Sequence, residues 1–320
     1  MPNETCDWDL LAATVREAAA RQEGRLAVQV IAPCPDAPGG HPATGGGSGA
    51  IAGEAHPEPQ ATGGALGWHA IRGAWGWHAS EQCPAASIIK LLIAWEAYRQ
   101  AETGALTLDE VVSVPPQQVV GGTGVLHLLS PGAALTWRNL VALMLAVSDN
   151  TATNLLIDRL GMDAVNLTAQ ALGLSATVLQ RKMMDFAARA GGRDNFTSAA
   201  DTARLLTFLV LPSLGPGLNS PDAGANRLIS AAACRSLMDI LEKQQFNHKL
   251  PALLPGVRCA HKTGELPGLE HDAGVIYLPD GRPLVVAVFT WELRSNAEGV
   301  RTIAEVARAA YHAARGPKPT

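Results

Sequence analysis

The stretch Ser148–Gly161 reads SDNTATNLLIDRLG and lies near the middle of a chain of 320 residues. It directly follows residues 140–147, which are apolar on most helical faces and therefore predict a buried helix. Residues 151–160 predict a second helix. Three short polar residues between two helices usually form a plain turn. Alternatively, Ser148 is a proton relay to a leaving group, and Asn150 holds a substrate amide.

A second motif, Ser87-Ile-Ile-Lys90, opens a predicted helix over residues 87–101. Residues three apart share a helix face, so the amine of Lys90 can approach the hydroxyl of Ser87. If burial or positive neighbours lower the pKa of that amine, it can take the serine proton. The first helical turn also directs free N–H groups towards the nucleophile. On its own, this motif is much more often an N-cap serine followed by a surface lysine.

A third motif, His261-Lys262-Thr263-Gly264, lies on a predicted strand near the end of the chain. An edge strand with an exposed lysine has the same pattern. In a functional site, Lys262 and Thr263 would lie opposite the nucleophile and bind a carboxylate. Gly264 would let a substrate approach the backbone closely.

Together and in this order, the three motifs resemble those of class A β-lactamases and penicillin-binding proteins. The stretch that opens at Ser148 is similar to the family's sequence at almost every position, and Gly122–Leu126 resembles relatives of that group. The resemblance covers roughly residues 75–310 and, more weakly, the first helix and strand. It implies a serine hydrolase.

The resemblance implies a role for each motif residue. Ser87 would be acylated, Lys90 would help to activate it, and Ser148 would transfer a proton. Asn150 would contact Lys90 and the substrate amide.

The strand motif would bind the rest of the substrate. Lys262 and Thr263 would hold its carboxylate beside Gly264. The backbone N–H groups of Ser87 and of Glu265 would form the oxyanion hole.

One loop departs from the family. Class A enzymes release the acyl-enzyme with a glutamate on a loop bracketed by a paired Arg and Asp, which Arg181 and Asp194 resemble here. The segment between them contains no glutamate, and Met183 occupies the family position. Asp185 is the carboxylate inside the loop, and it either activates water or caps and braces the loop.

The charges near the third motif also depart from the family. Many class A enzymes place an arginine after the KTG triplet, whereas this chain has Glu265 and Glu270. Two carboxylates near a site for an anion predict modest affinity, unless Lys262 and a distant arginine such as Arg294 offset them. His271 is a further cationic candidate or a structural histidine.

Strand signals occur at both ends of the chain, at residues 26–32, 273–278 and 284–290, and helical signals lie between them. The expected fold class is α/β plus all-α, of the β-lactamase/transpeptidase-like kind. An antiparallel sheet would be flanked by terminal helices, an amphipathic one within residues 1–24 included, with a helical domain inserted. Residues 1–83 and 246–320 would form the α/β domain, and residues 84–245 the helical one. Residues 33–66, rich in Gly and Pro, predict a flexible insertion.

Composition excludes several classes of function. The net charge is −4 and charged residues make up 17%, without a basic stripe, so a nucleic-acid partner is not expected. No apolar run reaches the length of a membrane span. The five cysteines lack metal-ligand spacing and predict free thiols, and we expect no metal, no cofactor and a monomer.

The N-terminal residues lack the pattern of a signal peptide, so the chain as written is expected in the cytoplasm, although the family works outside it. The expected activity is hydrolysis of a β-lactam amide, with a small molecule as the partner. Two alternatives stay open: a DD-peptidase- or esterase-like acyl transferase with slow deacylation, and a non-catalytic binder of β-lactams or peptidoglycan fragments.

Overall fold

The computed structural model describes residue 6 and residues 8–33, 71–213 and 229–315. The strands in these ranges, in chain order, are β1 Arg25–Pro33, β2 Ile71–Trp77, β3 Cys83–Pro84, β4 Val111–Ser113, β5 Ala134–Thr136, β6 Phe196–Thr197, β7 Cys259–Leu266, β8 Leu269–Tyr277 and β9 Pro283–Trp291. The α-helices are α1 Trp8–Arg21, α2 Lys90–Glu102, α3 Trp137–Ala146, α4 Asn150–Leu160, α5 Met162–Ala171, α6 Phe186–Ala190, α7 Ala199–Val210, α8 Ala231–Leu241 and α9 Asn296–Arg315.

A five-stranded antiparallel sheet takes its strands from both ends of the chain, in the order β2-β1-β9-β8-β7. A tight turn joins β8 to β9, and in it Gly281 has a φ of 85° and donates its N–H to Leu278 O at 2.9 Å. This is the turn that Pro279-Asp-Gly281 predicts. Strand β7, which carries the KTG triplet, is last in the strand order and is therefore an edge strand.

The sheet separates two apolar cores. In β9, Val286 and Val288 pack with α1 and α9, whereas Val285 and Ala287 pack with the helices from the middle of the chain. Because successive side chains of a strand point to opposite faces, a strand covered on both faces must be apolar throughout. This explains the continuous apolar run in β9.

The helices α2 to α8 and the short strand pairs β3·β6 and β4·β5 lie between β2 and β7 in the chain. Helices α2, α3 and α4 contact one another and bring the first two motifs together. Capping side chains start several of these helices; for example, Asp149 accepts a hydrogen bond from Ala152 N at the start of α4, and Ser198 accepts one from Asp201 N at the start of α7. The expected fold class is confirmed, while the proposed division into two domains remains an interpretation.

The predicted elements are present with shifted ends. The helix expected from residue 87 is a 3₁₀ turn over Ala86–Ile89 followed by α2. The expected insertion lies outside the described residues, apart from residue 33 at the end of β1. The described cysteines Cys6, Cys83, Cys234 and Cys259 form no disulfide bond with one another. No helix in the described ranges has the length and apolar character needed to cross a bilayer.

Candidate active site

The predicted nucleophile, Ser87, is half-buried in the 3₁₀ turn that precedes α2. The residue before it, Ala86, has a φ of 45°, a conformation that is sterically unfavourable for residues other than glycine. Strand β7 packs against this turn at Gly264, where an added Cβ would lie 3.1 Å from Ile88 Cγ1 and 3.3 Å from Ala86 Cβ. The glycine that was expected to admit a substrate thus also lets the strand approach the nucleophile's turn.

Lys90 is fully buried, and its Nζ donates three hydrogen bonds. The acceptors are Ser148 O at 2.7 Å, Ser148 Oγ at 3.0 Å and Asn150 Oδ1 at 2.9 Å. Burial, followed by the positive charge of Lys262, holds the pKa of Lys90 well below its ordinary value. The expected contact between Lys90 and Asn150 is present, but no hydrogen bond within the described ranges joins Lys90 Nζ to Ser87 Oγ. Such contacts often form only when a substrate is bound.

Ser148 joins the two lysines of the site. Its Oγ accepts from Lys90 and, at 3.1 Å, from Lys262 Nζ. Its φ is 55°, and Thr123 Oγ1 donates to its carbonyl at 2.8 Å. The hydroxyl therefore lies between two amines, where it can accept a proton from one side and donate one to the other.

Lys262 is fully buried as well, and its Nζ also donates to Thr263 O at 2.7 Å. Burial is the main cause that lowers its pKa to about 7. Thr263 is buried beside it, and Glu265 is exposed near the turn that joins β7 to β8. The lysine is thus not the exposed residue of an ordinary edge strand.

Asp149 holds the loop of residues 122–126, which faces the site. The sequence interpretation did not assign this role. Its Oδ2 accepts from Val125 N at 2.6 Å and from Leu126 N at 2.9 Å. A Cβ on Gly124 would lie 2.2 Å from the same oxygen, so the loop approaches closely only because residue 124 is a glycine. The resemblance of residues 122–126 to the family was the available signal.

The predicted bracket of the loop is confirmed, because Arg181 Nε donates to Asp194 Oδ1 at 2.7 Å. Asn154 clamps Met183 from α4: its Oδ1 accepts from Met183 N at 2.7 Å, and its Nδ2 donates to Met183 O at 3.1 Å. Met183 is buried, so the family's glutamate position holds a fixed apolar residue. Sequence reasoning did not single out Asn154.

Asp185 is exposed and caps α6, where its Oδ1 accepts from Ala188 N at 2.9 Å. The structure thus shows the capping role and does not join Asp185 to the hydrogen bonds around Ser148. Water activation by Asp185 stays a prediction.

Met184, the residue before Asp185, has a φ of 64°, and its Sδ lies 3.0 Å from where a Cβ on Gly122 would be.

The expectation that Glu270 adds negative charge to the site is wrong. Its carboxylate is buried and paired with the buried Lys249. Arg294 is highly exposed and pairs with Glu23. His271 is buried, stacks on Phe289 with ring centroids 4.3 Å apart, and has a pKa that burial lowers to about 4. It is therefore a structural histidine.

Among the described residues, no group of three or more His, Cys, Asp and Glu side chains is placed to hold a metal ion. What the site offers is a hydroxyl on a turn, two buried amines that share a second hydroxyl, and a strand edge. These are the groups that acyl transfer through a serine requires.

Comparisons with known proteins cover most of the chain. A family model described as the beta-lactamase enzyme family matches residues 71–314. The extended-spectrum beta-lactamase PER-1 of Pseudomonas aeruginosa is 28% identical over 248 residues, which are 72% of this chain and 75% of that protein.

Two solved structures are similar over nearly their whole length. The beta-lactamase of Sphaerobacter thermophilus has a TM-score of 0.74 at 28% identity, and the alignment covers 96% of this chain and 98% of that one. The protein PBP-A has a TM-score of 0.72 at 25% identity, with 98% of each chain covered.

Proposed function

The chain belongs to the beta-lactamase enzyme family, and from this premise we propose that it hydrolyses the amide of a β-lactam through an acyl-enzyme at Ser87. One observation carries the proposal: Lys90 and Lys262, both buried, donate to the same Ser148 hydroxyl. Strand β7, which bears Lys262, packs on the turn that bears Ser87.

Acylation follows from these positions. A neutral Lys90 takes the proton of Ser87, whose Oγ forms a bond to the carbonyl carbon of the ring while the carbon–nitrogen bond breaks. Ser148 gives its proton to the leaving nitrogen and regains one from the adjacent amines. The lowered pKa of Lys90 supports its use as the base.

The strand motif anchors the substrate. Lys262 and Thr263 bind the carboxylate, and Asn150 binds the side-chain amide. The N–H groups of Ser87 and Glu265 hold the developing oxyanion. The support is that Gly264, the residue after Thr263, packs against the nucleophile's turn, and that β7 is the last strand of the sheet.

Deacylation is the slow step of this proposal. A water molecule must attack the ester, and a base within hydrogen-bond reach speeds this attack. Met183 offers none, and Asp185 is engaged as a helix cap. We therefore expect the acyl-enzyme to accumulate.

The test is to mix the enzyme with benzylpenicillin and to follow intact mass and opened product over time. We expect a rapid adduct equal in mass to penicillin, followed by slow release of product, with Asp185→Asn releasing at the wild-type rate within about twofold. Slower release in Asp185→Asn would show that this carboxylate activates water. An enzyme that forms neither adduct nor product contradicts the proposal.

A second candidate function is an acyl transferase that cleaves or transfers a peptide and merely retains penicillin. The apolar residue at position 183 favours it. An adduct that never releases acid, together with turnover of a D-alanyl-D-alanine peptide, would establish this function instead.

The pH profile provides a separate prediction. Because the pKa of Lys262 in the enzyme without substrate is about 7, this lysine is charged below that pH and neutral above it. We therefore expect kcat/KM for a penicillin to fall above pH 7, by up to about tenfold per pH unit for one titrating group. An activated ester without a carboxylate should show no such fall, and identical profiles for both substrates would contradict the role of Lys262.

A further inference from the structure

A buried ion pair that the mechanism above does not use lies behind the KTG strand. Lys249 and Glu270 are both buried, and their charged groups are in contact. Lys249 Nζ also donates to Gly264 O at 3.1 Å, while Glu270 Oε1 accepts from Asn296 Nδ2 at 2.8 Å. The buried Nζ of Lys249 is thus held against the carbonyl of Gly264 in β7.

The register of the sheet defines the direction of that carbonyl. Tyr277 N donates to Arg258 O at 3.0 Å, so Arg258 and Tyr277 form a hydrogen-bonded pair. Hydrogen-bonded and non-hydrogen-bonded pairs alternate along an antiparallel ladder. The pair Gly264–His271 lies an even number of positions from Arg258–Tyr277, so it is also a hydrogen-bonded pair. The carbonyl of Gly264 therefore points towards β8, and its second lone pair is free to accept from Lys249.

The other end of the same peptide unit points the opposite way. In a trans peptide the C=O and N–H bonds are antiparallel, so the N–H of Glu265 points out of the free edge of β7. The turn of Ser87 packs against β7 at Gly264, since Ala85 O lies 3.4 Å from where a Cβ on Gly264 would be. The peptide unit thus joins Lys249 on one side to the proposed oxyanion hole on the other.

We propose that Lys249 is a positioning residue that fixes and polarises the peptide unit between Gly264 and Glu265, so that the Glu265 N–H becomes a stronger oxyanion donor. This inference rests on the proposed function, because it assigns a cause to one donor of that site. Lys249 itself is fully buried and does not touch the substrate.

Two physical effects act together here. A charge-assisted hydrogen bond to a carbonyl is stronger than a neutral one, and it polarises the hydrogen bond made by the other end of the peptide. A buried lysine is costly without a partner, and Glu270 supplies the opposite charge. The ion pair thus keeps a positive charge behind the strand without exposing it to the substrate.

The test replaces both charges at once, so that neither is left unpaired. In Lys249→Met/Glu270→Gln, the glutamine retains an oxygen for Asn296. Stopped-flow acylation by benzylpenicillin and the infrared stretch of the ester carbonyl in the adduct are measured. We expect acylation about tenfold slower with unchanged affinity of the first complex, since a full donor is worth about 10²- to 10³-fold. The ester stretch should move to a higher wavenumber.

The double variant Arg258→Met/Glu242→Gln is the matched control, because it removes an ion pair next to β7 that does not touch Gly264. It should leave both readouts at wild-type values. A wild-type stretch and rate in Lys249→Met/Glu270→Gln overturn the inference alone, whereas a wild-type enzyme without an adduct overturns the proposed function with it.

A second variant covers the case in which thermal unfolding shows that Lys249→Met/Glu270→Gln does not fold. Lys249→Gln/Glu270→Gln keeps a neutral donor and should show an intermediate ester stretch. A wild-type stretch in this variant again overturns the inference.

Discussion

Ser87→Ala is expected to abolish the penicillin adduct and to lower β-lactam hydrolysis by on the order of 10⁶-fold, the scale for loss of a nucleophile that acts as a unit with its base. The physical reason is that alanine has no oxygen with which to form the ester. The fold should be unaffected, because Ser87 is half-buried and its 3₁₀ turn has no side-chain cap. Intact mass spectrometry after incubation with benzylpenicillin measures the adduct directly.

Ser236→Ala is the matched control for this prediction. Ser236 lies on α8 and shares a hydrogen bond of 2.6 Å with Tyr98, away from the motif residues in sequence and in function. We expect this variant to keep the full adduct. A Ser87→Ala protein that still carries penicillin in stoichiometric amounts would place the nucleophile elsewhere.

The positions of the motifs could be predicted from sequence because each depends on local signals. The apolar run before Ser148 predicts a core helix, and the turn at Pro279-Asp-Gly281 predicts the β8–β9 hairpin that follows the strand with the KTG triplet. The pairing of Arg181 with Asp194 followed from the family resemblance, and the structure confirms it.

The contacts between motifs could not be predicted from spacing. The contact of Lys90 with Asn150 was implied by the family resemblance and is present, whereas the hydrogen bonds of Lys90 to Ser148, some 60 positions further along the chain, were not predicted. A helical pattern reports which residues share a face and not which side chain on another element fills the gap. The 3₁₀ turn at Ser87 likewise packs against Gly264 of β7, a contact that no local sequence pattern reports.

The charge of the site was misjudged for the same reason. Glu270 was expected from its position to add negative charge near the anion site, yet it is buried and paired with Lys249, 21 positions earlier in the chain. Lys249 belongs to no motif, and only the fold brings it to Gly264. Long-range ion pairs of this kind leave no periodic signal in a single sequence.

Lys90→Met is expected to slow acylation by about 10²- to 10⁴-fold, the usual contribution of a general base. Methionine fills a similar volume but cannot take the proton of Ser87. The change also leaves Asn150 Oδ1 without its donor, while Ser148 O keeps the hydrogen bond from Thr123 Oγ1, so the variant should be less stable by about 1–3 kcal/mol for the one buried acceptor that stays unpaired. Stopped-flow acylation and thermal unfolding measure the two effects separately.

Lys262→Met provides the comparison that separates a base from an anchor, because both lysines are fully buried and both donate to Ser148 Oγ. If Lys90 is the base, Lys90→Met slows acylation by a penicillin and by a neutral activated ester alike, since both need the serine proton removed. If Lys262 holds the carboxylate, Lys262→Met weakens binding of the penicillin and affects the ester far less. Equal losses on both substrates in both variants would mean that the two lysines act as one proton-relay unit, and that the carboxylate is bound elsewhere.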